Sequence, residues 1–158
     1  MEIIYTPLSM ADHEEFFHLA GNERVAATMR FDCPHSLAES DAVLADYLSE
    51  GNRTFALRFP SEPELWGVFA FKSTPGSTAA DLSQMFVPEQ WGHGYGNQVM
   101  HDMVALARQE KWYKTLGAYI LETNTASRRM VEKNGFHKAK RLRFPEMTED
   151  LVVYQLDV

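Results

Sequence analysis

The chain has 158 residues, of which 45% are hydrophobic and 23% charged, which predicts one globular domain over residues 1–158. No apolar run is long enough for a membrane helix, and the N-terminus lacks a signal-peptide pattern. A single cysteine, Cys33, excludes an internal disulfide framework and favours a cytoplasmic location. The net charge of −7 argues against a general nucleic-acid binder and favours a cationic partner.

The positive charge is concentrated in one part of the chain. Seven basic residues and one acid, Glu132, lie between Arg128 and Arg143, a local charge of +6 that leaves −13 for the remainder. One interpretation is a solvated helix face followed by an edge strand. The other is a local site for an anion such as a polyphosphate. The charge pattern alone leaves both open.

The first half of the chain predicts helices inserted after an initial strand. Ser36 and Glu39 form a capping box that begins the longest of these helices. In chain order we expect a strand at residues 3–6, a helix from Ser9 to about Gly21, helical turns around residues 23–29, a helix at residues 37–48, strands at residues 54–59 and 65–72, and a hairpin loop at residues 73–80.

The second half alternates strands and helices. We expect a strand at residues 82–87, a helix of about fourteen residues from Asn97, a strand at residues 116–121, a short helix from Asn124 to Asn134, and strands at residues 136–141 and 151–156. This order predicts an α/β domain built on a single mixed sheet. The last strand is a candidate dimer interface, although a monomer and a homodimer are equally compatible with the sequence.

Three glycines, Gly92, Gly94 and Gly96, separate a predicted strand from a predicted helix. Glycines at this place let the backbone approach an anion, and the helix start offers unpaired N–H groups. A plain tight turn is the alternative. The turn contains no lysine, which excludes a P-loop, and its glycine spacing differs from the dinucleotide-binding fingerprint.

Three motifs at their present spacing resemble the GNAT family of acetyl-CoA-dependent N-acetyltransferases. They are Phe-Val-Pro-Glu-Gln-Trp-Gly-His-Gly-Tyr-Gly at residues 86–96, Asn-Thr-Ala-Ser at residues 124–127 and Glu-Lys-Asn-Gly-Phe at residues 132–136. The residues of these motifs are similar to those of the RimJ/RimL-like branch of the family, whose members acetylate ribosomal-protein N-termini. The resemblance covers residues 82–136 and implies a single mixed, mostly antiparallel sheet flanked by helices, with a central splay between parallel strands 82–86 and 116–121.

The resemblance implies acetyl-CoA as cosubstrate and assigns residues to it one by one. Those implied for the pantetheine arm are Gln84, Met85, Phe86 and Asn124, and those for the pyrophosphate are Gly92, His93, Gly94, Tyr95, Gly96 and Asn97. Ser127 is implied near the thioester sulfur. Arg128, Arg129 or Lys133 is implied at the 3′-phosphate, which supports the anion-site interpretation of the basic run.

The chain departs from the broader family at two positions. Trp91 stands where an arginine or glutamine is usual, and Val131 stands where many relatives have a tyrosine that acts as general acid. Ser127 or a water would then protonate the leaving thiolate. Asp81 and Tyr119 are the candidates for activating the amine, and each also fits an ordinary strand residue.

The expected function is direct transfer of acetyl from acetyl-CoA to a primary amine, either a protein N-terminus or a small, cationic amine. The alternative is a non-catalytic acyl-CoA-binding regulatory module, which the missing tyrosine at Val131 favours. The six histidines show no metal-ligand spacing, so no metal is expected. Four aromatic residues are candidates for either the acceptor pocket or the core, namely Phe16, Phe17, Phe31 and Tyr47.

Overall fold

The computed structural model describes all residues from Met1 to Val158. It contains seven strands and five α helices. In chain order they are β1 (Ile4–Pro7), α1 (His13–Ala20), α2 (Glu23–Ala26), α3 (Leu37–Tyr47), β2 (Arg53–Arg58), β3 (Gly67–Lys72), β4 (Ala79–Phe86), α4 (Tyr95–Glu110), β5 (Thr115–Leu121), α5 (Thr125–Lys133), β6 (His137–Leu142) and β7 (Leu151–Asp157).

The seven strands form one mixed sheet in the order β1-β2-β3-β4-β5-β7-β6. β4 and β5 run parallel, whereas the β1–β2, β2–β3, β5–β7 and β6–β7 pairs are antiparallel. The parallel pairing joins Ala79, Ala80 and Asp81 to Thr115, Leu116 and Gly117, although β4 continues to Phe86. The predicted fold class, including the splay of a parallel strand pair, is confirmed.

Three local expectations were wrong. β4 begins at Ala79, inside the predicted hairpin loop, because the register with β5 extends to that residue. α4 begins at Tyr95 rather than Asn97, since Gly94 adopts a left-handed conformation that ends the turn. β7 is paired on both sides, by β5 and β6, so the strand at residues 151–156 has no free edge for a dimer interface.

The chain divides into two compact units. The first comprises Met1–Pro75 and Ser83–His93. Its core contains buried side chains from α1, α2, α3, β2, β3 and β4 and from the loops between them, namely Leu8, Phe16, Leu19, Ala20, Val25, Leu44, Tyr47, Ala56, Leu65, Val68, Ala70 and Met85. Phe16 and Tyr47 are therefore core residues, whereas Phe17 and Phe31 are only partly buried.

The second unit comprises Gly76–Leu82 and Gly94–Val158. α4 contributes the buried face Val99, Met100, Met103, Val104 and Ala107, at the helical spacing that the sequence predicts. Most of β7 is buried, whereas β6 is exposed along most of its length. None of the helices has the length and apolar character needed to cross a membrane.

Candidate functional site

The turn between β4 and α4 has a backbone geometry that suits an anion. Gly92 and Gly94 have φ values of +78° and +82°, which side-chain-bearing residues rarely adopt. A Cβ atom added to either glycine would meet no heavy atom within 4 Å, so the turn is open there. Gly94 provides no side-chain cap to α4, and the first turn of that helix has no acid. The positive end of the helix dipole is thus available for a phosphate group.

Side-chain contacts hold the segment before this turn in place. The indole Nε1–H of Trp91 donates a hydrogen bond to the carbonyl oxygen of Phe86 at 2.8 Å. The imidazole Nε2 of His93 lies 3.2 Å from the carbonyl oxygen of Glu89. The turn is therefore anchored to the end of β4 by Trp91.

The first turn of α4, formed by Tyr95, Gly96 and Asn97, is tied to α5. The Nδ2 group of Asn134 donates to Oδ1 of Asn97 at 3.0 Å and to the carbonyl oxygen of Met130 at 2.8 Å. Asn134 thus serves as the end of α5 and as a link to the start of α4. The Asn134-Gly135 motif therefore both ends α5 and connects this helix to the start of α4.

The end of β4 carries the residues predicted for the pantetheine arm. Met85 is buried, and Gln84 and Phe86 are partly buried. On the neighbouring strand, a Cβ atom at Gly67 would lie 2.7 Å from a ring carbon of Phe86 and 3.1 Å from the carbonyl oxygen of Met85. Gly67 therefore allows the close approach of β3 to this part of β4.

A buried tyrosine supports the same strand from the helical side. The Oη atom of Tyr47, at the end of α3, lies 3.1 Å from Oγ of Ser83 on β4. The Nζ atom of Lys72 lies 4.0 Å above the centre of the tyrosine ring. Burial raises the pKa of Tyr47 above its usual value, while the hydrogen bond to Ser83 acts in the opposite direction. Tyr47 is thus a neutral structural partner of β4.

α5 begins at the predicted Asn124-to-Ser127 motif. The Oδ1 atom of Asn124 accepts a hydrogen bond from the backbone N–H of Ser127 at 3.2 Å and so caps the helix. The Nδ2 group of Asn124 is the remaining donor of that side chain. The structure therefore gives Asn124 a structural role at the position where the resemblance implies cofactor binding, and it fixes Ser127 in the first turn of α5.

Arg128 belongs to a hydrogen-bond network that joins α5 to β5 and β7. Its Nε group donates to Oη of Tyr154 at 3.1 Å, and Nη1 donates to the carbonyl oxygen of Glu122 at 3.0 Å. Tyr154 is fully buried and donates to Oε1 of Glu132 at 2.7 Å. Burial raises the pKa of Tyr154, and Glu132 adds to this while Arg128 opposes it. The guanidinium is already engaged at the position where a 3′-phosphate contact is implied.

The rest of the basic run is divided between paired and unpaired charges. Arg143 is 2.8 Å from Asp150, and Arg141 pairs with both Asp150 and Glu122. Four exposed cations have no carboxylate within 4 Å, namely Arg129, Lys133, Lys138 and Lys140. Part of the run is therefore engaged in ion pairs, and Arg129 and Lys133 on α5 stay candidates for an anion site.

The two candidates for amine activation lie on one face of the sheet. Asp81 on β4 is paired in register with Gly117 on β5, and a Cβ atom at Gly117 would lie 2.6 Å from Oδ1 of Asp81. The carboxylate therefore occupies the space above the glycine. Tyr119 follows Gly117 by two residues and faces the same side. A glycine in the middle of a strand is the sequence signal for such a close approach.

Metal and cysteine chemistry have no assembled site. No group of three or more histidine, cysteine, aspartate or glutamate side chains is arranged to hold a metal ion. The Cys33 thiol lies 3.5 Å from the carbonyl oxygen of Gly21 and 3.9 Å from that of Pro34, in a loop of the first unit. A nucleophilic thiol needs a nearby base or cation, and these contacts provide neither.

Comparison with known proteins gives a consistent result. The model of the acetyltransferase (GNAT) domain family matches residues 2–137. A curated relative, the uncharacterized N-acetyltransferase YoaA of Bacillus subtilis, is 22% identical over 146 residues, which cover 89% of this chain and 82% of that protein.

Solved structures share the fold at low sequence identity. Spermidine N-acetyltransferase from Vibrio cholerae, in complex with CoA and spermine, aligns with a TM-score of 0.84 at 13% identity and covers 98% of this chain and 95% of its own. A GNAT-family acetyltransferase from Bacillus anthracis aligns with a TM-score of 0.83 at 17% identity, over 99% and 95% of the two chains. Because the model of the GNAT acetyltransferase domain matches most of the sequence, this chain belongs to the GNAT acetyltransferase family.

Proposed function

We propose that this protein transfers an acetyl group from acetyl-CoA to a primary amine. The observation that carries the proposal is the glycine turn, where two left-handed glycines open the backbone and α4 presents a start without cap or acid. The residues present fit a pyrophosphate, because backbone N–H groups and a helix dipole bind anions without a dedicated cation. Bound acetyl-CoA would supply the activated thioester.

The proposed reaction gives each of the following residues a defined role. The backbone of Gln84 and Phe86 holds the pantetheine arm as a neighbouring strand would, and the Nδ2 group of Asn124 donates a hydrogen bond to it. Asp81, exposed on β4, accepts the proton of the incoming ammonium through water, because only the uncharged amine is a nucleophile. The uncharged amine attacks the carbonyl carbon of the thioester, a carbon–nitrogen bond forms and the carbon–sulfur bond breaks. The Ser127 hydroxyl relays the proton that the new amide nitrogen loses to the leaving sulfur.

The acceptor that we propose is a cationic amine, a protein N-terminus or a small polyamine-like molecule. A charge of −13 outside the basic run supports this class, because an acidic surface raises the local concentration of cations. The Vibrio cholerae enzyme of the same fold is a spermidine N-acetyltransferase, which supports a polyamine as a first compound to test. The similarity of the motifs to the RimJ/RimL-like branch supports a peptide N-terminus as the second compound to test.

A non-catalytic acyl-CoA-binding module is the second candidate function. The observation that favours it is Val131, which is 1% exposed and provides no acidic group at the position where many relatives have a tyrosine. Such a module would bind acetyl-CoA and release no thiol with any amine.

The test is a calorimetric titration with acetyl-CoA, with NADH as the control ligand, followed by a thiol-release assay. The assay presents spermidine, spermine and short basic peptides with free N-termini. Saturable binding together with amine-dependent thiol release supports the transferase. Binding without release for any amine supports the regulatory module, and no binding of acetyl-CoA refutes both.

A further inference from the structure

A cation is held beside the glycine turn by a residue far away in sequence. The guanidinium carbon of Arg24, on α2, lies 5.1 Å from the centre of the Trp91 ring. The Trp91 side chain is fixed by its hydrogen bond to the carbonyl oxygen of Phe86, and Trp91 directly precedes Gly92. The guanidinium of Arg24 therefore lies over an anchored aromatic ring at the start of the turn.

The backbone that carries Arg24 is also fixed. The side chain of Asn22 accepts hydrogen bonds from the N–H groups of Arg24 at 2.9 Å and Val25 at 3.4 Å. Val25 and Ala26 are buried in the first unit. Because the backbone of α2 and the Trp91 ring are both held in place, ligand binding would need to order only the Arg24 side chain itself.

Arg24 forms no ion pair with a carboxylate. In the first unit thirteen acidic residues accompany five basic ones. Arg58 pairs with Asp12 and Glu15, and Lys72 pairs with Asp46, whereas no carboxylate lies within 4 Å of Arg24. The N–H donors of a guanidinium lie in its own plane, so a guanidinium over an aromatic ring can still bind an anion in a bidentate manner.

Trp91 places this cation next to the glycine turn. The indole ring carries no charge of its own, and the guanidinium of Arg24 lies over it directly before Gly92 in the chain.

We propose that Arg24 binds the pyrophosphate of the acyl donor and that Trp91 is its positioning residue. The inference rests on the proposed function, because it concerns the same donor site. It adds a binding residue that sequence reasoning missed, since a single arginine in a short helix carries no motif. A charge-assisted contact of this kind strengthens binding of CoA with or without its 3′-phosphate.

The experiment is calorimetry of wild type, Arg24→Gln and Arg53→Gln with CoA and with 3′-dephospho-CoA, at low and high salt. Arg53→Gln removes the same charge from an exposed position on β2 and is the matched control. We expect Arg24→Gln to weaken both ligands about tenfold or more at low salt and less at high salt, with the control near wild type. A second variant, Arg24→Gln with Trp91→Arg, should recover part of the loss.

The outcomes separate this inference from the proposed function. Failure of the wild type to bind CoA refutes the proposed function itself. Wild-type binding with an unchanged Kd for Arg24→Gln overturns the inference and leaves Arg24 as a cover for the Trp91 ring. A loss confined to CoA, with 3′-dephospho-CoA unaffected, also overturns it, because the contact would then be with the 3′-phosphate.

Discussion

A charge placed in the glycine turn should abolish donor binding while leaving the fold intact. Gly94→Glu introduces a side chain at a φ of +82°, where no heavy atom lies within 4 Å of the new Cβ. The cost to stability is therefore backbone strain alone, about 1–2 kcal/mol. Gly76→Glu is a matched control, because Gly76 has a φ of +79° and equally open surroundings in a loop outside the candidate site.

The two variants should differ in binding alone. A carboxylate about 5 Å from a phosphate charge, at an effective dielectric constant of about 20, repels it by about 3 kcal/mol. This corresponds to a Kd for acetyl-CoA that is more than about a hundredfold weaker. Urea unfolding and calorimetry of both variants provide the assay. Equal acetyl-CoA affinities for Gly94→Glu and Gly76→Glu would refute the assignment of the turn to the pyrophosphate.

Three further predictions concern the strands and the start of α5. Gly117→Ala places a Cβ atom 2.6 Å from Oδ1 of Asp81 and should turn the carboxylate away. Turnover should then fall about as far as in Asp81→Asn, with little change in acetyl-CoA affinity. Full turnover in both variants would exclude Asp81 as the base. Ser127→Ala should keep the acetyl-CoA affinity and lower kcat, and an unchanged kcat would remove Ser127 from the reaction. Tyr47→Phe loses the contact to Ser83 and should lower the free energy of unfolding by about 1 kcal/mol at pH 7. Because burial raises the pKa of Tyr47, this tyrosine ionises in the unfolded chain before it does so in the folded protein, and the free energy of unfolding falls as pH rises above about 10. Urea unfolding should show a smaller fall for Tyr47→Phe. An equal dependence of the free energy of unfolding on pH in both proteins would contradict this.

The sequence predicted the secondary-structure elements, and placed the segments proposed for the donor site on them, because those signals are local. A capping box, an Asn-Gly helix end and alternating strand residues depend on neighbours a few positions away, so α3, α5 and most strands were correct within a few residues. The glycine turn also needs no distant partner, since its left-handed φ values are a property of Gly92 and Gly94 themselves. These segments could be placed on a strand, a turn and a helix start from the sequence.

The tertiary structure decided which side chains are already engaged and which are free. The resemblance implies Arg128 as a phosphate ligand, and only the folded chain shows that its Nε group also donates a hydrogen bond to Tyr154, twenty-six residues later. Strand 151–156 looked like an edge until β6 paired with its outer side. Arg24 and Trp91 are sixty-seven residues apart and meet only in the folded chain. The sequence alone determined local conformation and charge, whereas long-range pairing and packing decided where those charges can act.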